Sequence, residues 1–459
     1  MHADAPSTTP YDVVVLGGGP AGAATALASK RRHPAVRVAL VEKTDYAAWR
    51  IGETLPPSAE PRLRALGVWE AFLDLSPAPS YGTRAAWGSA APYDHEFLFS
   101  RHGRGWHVDR RRFDAMLVAE ARRAGAEIFS RTTADSWHRR DDAWRMTLTP
   151  LNAAARSITA RVVVDATGRR SAFAIAQGAR HRTCDQLVAA VVVLPSDPAT
   201  PPPETYTWVE ACRDGWWYTA PLPDGRLAAS FVTDASVLRE RAWRAADDWI
   251  GLSADVPHTS ARIAGRISRG ASLPPRLFPA ASQRLDPCAG DGWLAVGDAA
   301  TTFDPLSARG VTSALRGGLN ASIAIGRYLA GDARALAWCA AVVAADYDEY
   351  LDQRAASYAM EQRWPGSPFW RSRHELITLD PNRRLRRSPL RRAAEGAASG
   401  RWSADELNRL ADICRHPLPA RAIVRRFRSA SERRRSDRHI VLALQDLIEH
   451  GVLLDADRP

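Results

Sequence analysis

With 459 residues, of which 46% are hydrophobic, the chain is long enough to bury a sizeable core, and we expect two or three domains. No stretch approaches 18 consecutive apolar residues, which argues against a membrane span. The five cysteines are scattered without a CxxC spacing, which argues against a disulfide framework or a zinc cluster. The formal net charge of +11 lies in the tail, because residues 383–438 contain 17 Arg and 6 acidic residues while the remainder is close to neutral.

The chain begins MHADAPSTTPYDVVVLGG, without the basic start and apolar run of a secretory signal peptide. Scattered cysteines in odd number are typical of a reducing compartment. We therefore expect a cytoplasmic protein.

A glycine-rich turn follows the first predicted strand, Val13–Leu16. Gly17, Gly19 and Gly22 have the GxGxxG spacing and open a helix of small residues. The first glycine permits the tight turn, the second lets the backbone approach a pyrophosphate, and the third lets the helix pack on the strand. The N–H groups and positive dipole end of that helix attract phosphates.

The second strand, VRVALVEK, ends at Glu42, which lies 20 residues past Gly22. A carboxylate at that distance can hold the ribose hydroxyls of an adenine dinucleotide. The predicted cofactor-binding residues of this unit are Gly17, Gly19, Pro20, Ala21, Gly22, Glu42 and Lys43.

The loop after the second strand reads WRIGETLPPSAEPRL. Its two adjacent prolines fix the backbone and start a helix. We predict that Arg50 and Glu53 belong to the cofactor site, with Glu53 anchoring the loop by accepting hydrogen bonds from backbone N–H groups.

Three later segments extend the pattern. His107–Ile128 predicts an amphipathic helix, entered through Arg110 and followed by a third strand. A strand then ends in DATG, and a later one ends in GDA before DPLSARG opens another helix. The residues that these segments add to the predicted cofactor site are Arg110, Thr167, Gly168, Gly297, Asp298, Pro305, Gly310 and Val311.

In this order the motifs resemble the FAD-binding fold of flavoprotein aromatic hydroxylases and of the halogenases and geranylgeranyl reductases related to them, over roughly residues 11–373. The resemblance implies an α/β fold: a Rossmann-type FAD-binding domain with an inserted β-sheet substrate domain. It also implies that Asp298 hydrogen-bonds the ribityl chain, that Pro305–Gly310 faces the flavin pyrimidine, and that Arg110 lies near the pyrophosphate.

Two halogenase features are altered. Tryptophan halogenases carry a lysine about two turns beyond the glutamate of the GE pair, whereas the equivalent position here is near Glu60, and the only lysines, Lys30 and Lys43, precede the loop. The W-x-W-x-I-P stretch becomes GWWYTAPLP, with Trp216 retained and Tyr218 in place of the second Trp. We interpret both changes as favouring a hydroxylase. Alternatively, Trp216 and its neighbours simply form a buried strand.

The segment YAMEQRWPGSPFWRSR, together with RIGETLPPSA and DPLSARG, resembles the flavoproteins that mature tryptophylquinone enzymes. These include the monooxygenase acting on the small subunit of quinohaemoprotein amine dehydrogenase and the flavoprotein partner of lysine ε-oxidase, and the former is the nearer match. The resemblance implies hydroxylation of a protein-bound tryptophan through a flavin C4a-hydroperoxide. It also implies that the partner is a quinone-bearing small subunit, alone or held by another maturation enzyme.

The implied co-substrates are O₂ and either NAD(P)H or reduced flavin supplied by a separate reductase. Glu60 is the candidate general base, and Trp216 is the second candidate catalytic residue; the alternative for Glu60 is an exposed helix glutamate. Other readings remain open: a small-molecule aromatic hydroxylase or halogenase of natural-product biosynthesis, or a prenyl-type flavin reductase.

The expected domains are a discontinuous FAD-binding domain (8–75, 100–183 and 276–331), a substrate-binding β domain (76–99 and 184–275), a long helix with its connector (332–382) and a small helical, Arg-rich module (383–459). The arginines of that module could dock an acidic protein or form a solvated lid. Nucleic acid is a weaker alternative, because aromatic residues are not interleaved with the arginines.

Overall fold

The computed structural model describes residues 10–196, 205–240, 249, 251–264, 266, 275–374, 382–389, 402, 404–430 and 437–457. The chain divides into two units, one of residues 1–343 and 349–370 and the other of residues 344–348 and 371–459. In the described part of the chain, no helix is long and apolar enough to span a membrane.

The first unit contains strands in several sheets, with helices between them. The strands up to residue 302 are Tyr11–Leu16, Val38–Glu42, Thr54–Leu55, Ala78–Ser80, Gly82–Ala86, Tyr93–Glu96, Gly105–His107, Glu127–Ser130, Thr132–Arg140, Ala143–Pro150, Arg156–Asp165, Arg180–Thr183, Leu187–Leu194, Tyr206–Cys212, Gly215–Pro221, Leu227–Asp234, Arg276–Pro279, Gln283–Asp286, Ala289–Gly290, Trp293–Ala295 and Thr301–Thr302. The described helices that lie wholly in this unit are Pro20–Arg32, Ala59–Ala65, Trp69–Leu73, Arg110–Arg123, Ala172–Ala176, Ala235–Glu240, Pro257–Ala264 and Gly310–Leu329, and the helices Ala335–Ala359 and Pro368–His374 contain residues of both units. Short 3₁₀ turns lie at Phe97–Phe99, Gly168–Arg170, Gly297–Ala299 and Pro305–Ser307.

A parallel sheet forms the centre of the first unit. Its five parallel strands lie in the order Trp293–Ala295, Arg156–Asp165, Tyr11–Leu16, Val38–Glu42 and Glu127–Ser130. The first and second strands of the chain are buried almost throughout, as their valine-rich sequences predict for a sheet covered on both faces. The expected Rossmann-type α/β fold is confirmed.

Two helices pack closely on one face of this sheet. They are Pro20–Arg32, at the start of the chain, and Gly310–Leu329, almost 300 residues later. A Cβ on Gly318 would lie 2.6 Å from the Cβ of Ala24 and 2.9 Å from the carbonyl oxygen of Ala21. Only a residue without a side chain allows the two helix backbones to approach so closely.

A seven-stranded sheet makes up the inserted part. Its four central strands correspond to the predicted QLVAAVVVL, ETYTWVEAC, GWWYTAPL and RLAASFVTD segments, and Gly82–Ala86 pairs in parallel with Tyr206–Cys212. The edge strand Arg276–Pro279 pairs with Leu187–Leu194, so this sheet extends past the expected boundary at residue 275.

The second unit combines helices with a small sheet. Its described helices are Ala404–Ile413, Ala420–Ala430 and Asp437–Glu449, and its strands are Arg384–Arg387, Leu418–Pro419 and Leu453–Asp455. Arg384–Arg387 is the central strand and pairs antiparallel with the other two. The sequence predicted the helices and the last strand but not the other two strands. The core contains the apolar faces of all three helices, including Leu410, Phe427 and Leu444.

Candidate active site

A cavity of about 430 Å³ lies in the first unit, where the carboxyl ends of the parallel strands meet the seven-stranded sheet. Ligands bind at this edge of open α/β sheets. Of the predicted cofactor-binding residues, the cavity is lined by Gly19, Pro20, Ala21, Gly22, Arg50, Glu53, Arg110, Gly168, Asp298, Pro305, Gly310 and Val311. The predicted residues outside this lining are Gly17, Glu42, Lys43, Thr167 and Gly297.

The glycine turn has the shape that a phosphate cradle needs. Gly17 has a φ of +110°, and a Cβ on Gly22 would lie 1.9 Å from the carbonyl oxygen of Gly17. A Cβ on Gly19, by contrast, would meet no protein atom within 4 Å. Gly19 therefore leaves open space in the cavity wall at the start of the helix Pro20–Arg32, which fits a pyrophosphate.

Glu42 is buried and holds the turn itself. Its Oε2 accepts a hydrogen bond from the backbone N–H of Gly18 at 2.7 Å, and its Oε1 accepts one from the N–H of Thr44 at 2.8 Å. The carboxylate supports the nucleotide end of the cavity from outside the lining.

A buried ion cluster fixes the loop that carries Glu53. Asp114 is fully buried and accepts hydrogen bonds from Arg50 Nη1 at 2.8 Å and from Arg110 Nε at 3.0 Å. Arg110 also donates from Nη1 to the carbonyl oxygen of Ile51 at 2.6 Å. The sequence analysis missed Asp114, although it stands one turn after Arg110 on the same helix face.

The loop before the helix Gly310–Leu329 is anchored by Asp304, which is also buried. Its Oδ1 caps the turn by accepting from the N–H of Leu306 at 3.0 Å. Its Oδ2 accepts from Tyr358 Oη at 2.7 Å and from Arg354 Nε at 3.2 Å, while the backbone N–H of Asp304 donates to Tyr350 Oη at 2.7 Å. The three helix residues recur every four positions, a pattern in the sequence that could have identified them.

Two cavity residues carry buried polar atoms without a hydrogen-bond partner in the described structure. These atoms are Oε1 of Glu53 and Nη1 of Arg309. Glu53 is only 4% exposed, and burial raises the pKa of its carboxyl group. Because buried polar atoms are normally satisfied, a free acceptor and a free donor in one cavity wall indicate a polar ligand.

The predicted acid of the GD motif faces the cavity. Asp298 is 46% exposed and lies 3.9 Å from Arg169 Nε, measured from its Oδ2. An exposed acceptor beside the helix that starts at Gly310 fits the hydroxyl groups of a ribityl chain. Together with the glycine cradle, this donor and acceptor set fits FAD.

The seven-stranded sheet gives the cavity an apolar wall. The apolar side chains of the lining that lie in or near this sheet are Trp49, Ile51, Ala189, Val191, Val232 and Phe278. Tyr218, Ser230 and Thr54 add hydroxyl groups to the same lining. A mainly apolar wall with a few placed polar groups suits an aromatic substrate.

The structure does not bring the two candidate catalytic residues to this cavity. Glu60 is half-buried on the helix Ala59–Ala65, pairs with Arg64 at 2.7 Å and is outside the cavity lining. Trp216 is fully buried, is also outside the lining, and donates from Nε1 to Tyr358 Oη at 3.1 Å. Because Glu60 is paired with Arg64 away from the cavity, the buried Glu53, which lines it, is the better candidate for a proton acceptor.

Comparisons with known proteins agree with this geometry. A family model described as FAD binding domain matches residues 10–337. LodB of Marinomonas mediterranea, named as an FAD-dependent oxidoreductase, is 31% identical over 374 residues, which cover 80% of this chain and 98% of LodB.

Two solved structures show the same fold. The myxobacterial chondrochloren halogenase CndH superposes with a TM-score of 0.70 at 24% identity, over 80% of this chain and 86% of the halogenase. The peptidyl tryptophan dihydroxylase QhpG, essential for tryptophylquinone cofactor biogenesis, superposes with a TM-score of 0.62 at 22% identity, over 96% of this chain and 100% of QhpG.

Proposed function

Because this chain belongs to the FAD-binding domain family that includes flavin-dependent monooxygenases and halogenases, we propose that it is an FAD-dependent monooxygenase that hydroxylates a tryptophan side chain within a protein. The observation that carries the proposal is a cavity whose lining combines an apolar wall with the carboxylate of Glu53 and contains no lysine. The sequence contains only two lysines, and neither lines the cavity. A lysine that directs hypohalous acid onto a substrate is therefore missing.

One group of cavity residues would bind the cofactor. The glycine cradle at Gly19, the loop held by Arg110, the carboxylate of Asp298 and the helix that begins at Gly310 would hold FAD. Bound FAD, once reduced, supplies the two electrons with which O₂ is activated. In the net reaction one oxygen atom enters a ring C–H bond, the other leaves as water, and NAD(P)H or a reductase provides the electron pair.

The protein itself would orient the substrate ring, exclude water from the cavity and accept a proton. The apolar wall excludes water and aligns the electron-rich indole ring. After oxygen insertion, the ring must lose the proton of the substituted carbon to regain aromaticity. Glu53 is the proposed acceptor, because its Oε1 is buried, unpartnered in the described structure and part of the lining.

The test of this function is the intact mass of the small subunit of a quinohaemoprotein amine dehydrogenase after incubation with the flavoprotein, NAD(P)H, O₂ and chloride. We expect a gain of one or two oxygen atoms that maps to one tryptophan and is absent without O₂. A chlorinated product would instead identify a halogenase. Turnover of an alkene without O₂ would identify a reductase, and an unchanged subunit mass would point to a small aromatic substrate.

The C-terminal unit carries a group of exposed arginines on one helix. Arg421, Arg425 and Arg426 lie on the helix Ala420–Ala430, are exposed, and take part in none of the ion pairs of the described structure. Their unneutralised charge supports our proposal that this surface docks an acidic protein, either the substrate subunit or an enzyme that holds it.

Replacing these three arginines with Glu is expected to weaken binding of the subunit at least tenfold, because like-charge repulsion replaces attraction. The effect should shrink at high salt, and turnover of a short tryptophan peptide should stay unchanged. The matched control reverses three exposed arginines of the first unit that also lack an ion pair in the described structure: Arg32, Arg112 and Arg122. Equal affinity in both triple variants would contradict docking, and capture of RNA by the wild type alone would reassign the surface to nucleic acid.

A further inference from the structure

A row of hydrogen bonds leads from the cavity wall into the core. Tyr218 Oη lies 2.8 Å from Thr54 Oγ1, and Thr54 Oγ1 lies 3.1 Å from Nδ1 of His107. Nε2 of His107 in turn lies 3.3 Å from the carbonyl oxygen of Thr205. Tyr218 and Thr54 line the cavity, whereas His107 is fully buried behind them.

The inner end of this row fixes the direction of every hydrogen bond in it. Burial lowers the pKa of His107 to about 4, so the ring is neutral and carries one hydrogen. A carbonyl oxygen can only accept, so that hydrogen must lie on Nε2, and Nδ1 must accept. The single hydroxyl hydrogen of Thr54 therefore points to Nδ1.

Tyr218 must then donate its own hydrogen to Thr54. Thr54 has no further hydrogen to give, and its two lone pairs can accept from Tyr218 and from Thr207, whose Oγ1 lies 3.2 Å away. Burial also raises the pKa of Tyr218, which keeps the phenol protonated. Toward the cavity, the phenol oxygen can thus offer only lone pairs.

The phenol oxygen of Tyr218 lies in the cavity wall that the seven-stranded sheet forms. Val191, Ser230 and Tyr218 stand directly opposite one another on three neighbouring strands, and all three line the cavity. An aromatic ring that packs on Val191 and Ser230 would therefore lie beside Tyr218.

We propose that Tyr218 is the residue that selects the indole ring, by accepting a hydrogen bond from its N–H group. This inference rests on the proposed function and names the group that recognises its substrate. An indole nitrogen is a donor only, so it matches a hydroxyl oxygen whose hydrogen is already committed. His107 and Thr54 are positioning residues, because they act through Tyr218.

The test compares binding of indole and 1-methylindole to the FAD-loaded enzyme, followed through the flavin absorbance. The wild type should bind indole about tenfold more tightly, since methylation removes the donor and leaves a buried acceptor unsatisfied. Tyr218→Phe should bind both probes equally. Thr54→Ser, which keeps the hydroxyl, should retain the preference, whereas Thr54→Val should lose most of it.

This comparison separates the inference from the function it rests on. A ratio of two affinities in one variant is insensitive to a general loss of folding or FAD, both of which are checked by flavin content. Equal affinities in the wild type, no saturable indole binding, or a preference that survives Tyr218→Phe would overturn the inference even if the subunit is hydroxylated. If the preference holds but no subunit or peptide tryptophan is oxidised, the proposed reaction fails while indole recognition stands.

Discussion

Replacing Glu53 with Gln is expected to lower the kcat of tryptophan hydroxylation by about 100- to 10,000-fold, the range over which a positioned general base contributes. Gln keeps the shape and hydrogen-bonding capacity of the side chain but cannot accept the ring proton. Flavin content should stay close to that of the wild type, because Arg110 binds the Ile51 carbonyl rather than the Glu53 side chain. The measurement is single-turnover product formation by mass spectrometry.

Glu60→Gln is the matched control for this prediction. Glu60 lies seven residues later, is outside the cavity lining and pairs with Arg64, so its replacement should leave kcat within about twofold. Comparable losses in both variants would show that proton transfer does not depend on the buried carboxyl group.

The pH dependence of wild-type activity should also report the ionisation of Glu53. Burial raises the pKa of Glu53, so the carboxylate needed to accept a proton forms at a higher pH than for an exposed glutamate. Activity should fall as the pH drops through that raised value, and Glu53→Gln should lack this limb.

The stability of the folded protein should decrease with rising pH, whereas its activity should increase. The folded state holds the Glu53 proton more tightly than the unfolded state. The cost of the buried charge is therefore absent below the ordinary glutamate pKa and is complete above the raised one. Glu53→Gln should unfold at a higher temperature than the wild type in alkaline buffer and at a similar temperature in acid. A variant less stable in alkaline buffer would contradict this.

Alanine at Gly22 is expected to destabilise the first unit by about 3 kcal/mol or more and to abolish FAD binding. Its Cβ would lie 1.9 Å from the carbonyl oxygen of Gly17 and 3.0 Å from the Cβ of Ala166, and neither backbone can move without opening the turn. Thermal unfolding and flavin absorbance measure the two effects.

Alanine at Gly19 should separate binding from folding. The added methyl group meets no protein atom within 4 Å but enters the space proposed for the pyrophosphate. We expect wild-type stability and about 100-fold weaker FAD binding, equivalent to about 2.7 kcal/mol. The control is Gly366→Ala, whose Cβ also meets nothing and which lies outside the cavity lining. Unchanged FAD affinity in Gly19→Ala would place the phosphates elsewhere.

The sequence was informative where a motif is local. The glycine turn, the GD motif and DPLSARG each occupy one strand end and the helix after it, so their spacing alone predicts their shape. These motifs predicted eight of the cavity-lining residues, and the segments that contain Arg50, Glu53, Arg110 and Gly168 supplied four more. The inserted sheet was also predictable, because its strands have strongly apolar, β-branched or aromatic sequences bounded by turn residues.

The rest of the site depends on contacts between distant segments. Glu60 looked suitable because it stands where halogenases place a lysine, but the direction of a side chain on a short helix depends on what packs against it. Asp114 and Tyr358 show only a helical spacing in the sequence, whereas their partners Arg50 and Asp304 lie in other segments that the spacing does not identify. The acceptor role proposed for Tyr218 depends on the carbonyl oxygen of Thr205, which fixes the hydrogen on His107 and lies over ten residues away from Tyr218 in sequence.

The helix Pro20–Arg32 can make its close contact with the helix Gly310–Leu329 only after most of the chain has been synthesised. A ribosome adding about 5–20 residues per second makes Gly22 roughly 15–60 s before Gly318. Until then the nascent chain has the phosphate cradle but lacks Asp298 and the wall that completes the cavity. The cavity that fits FAD is thus complete only late in synthesis, and the small-residue face of the first helix lacks its partner helix until then.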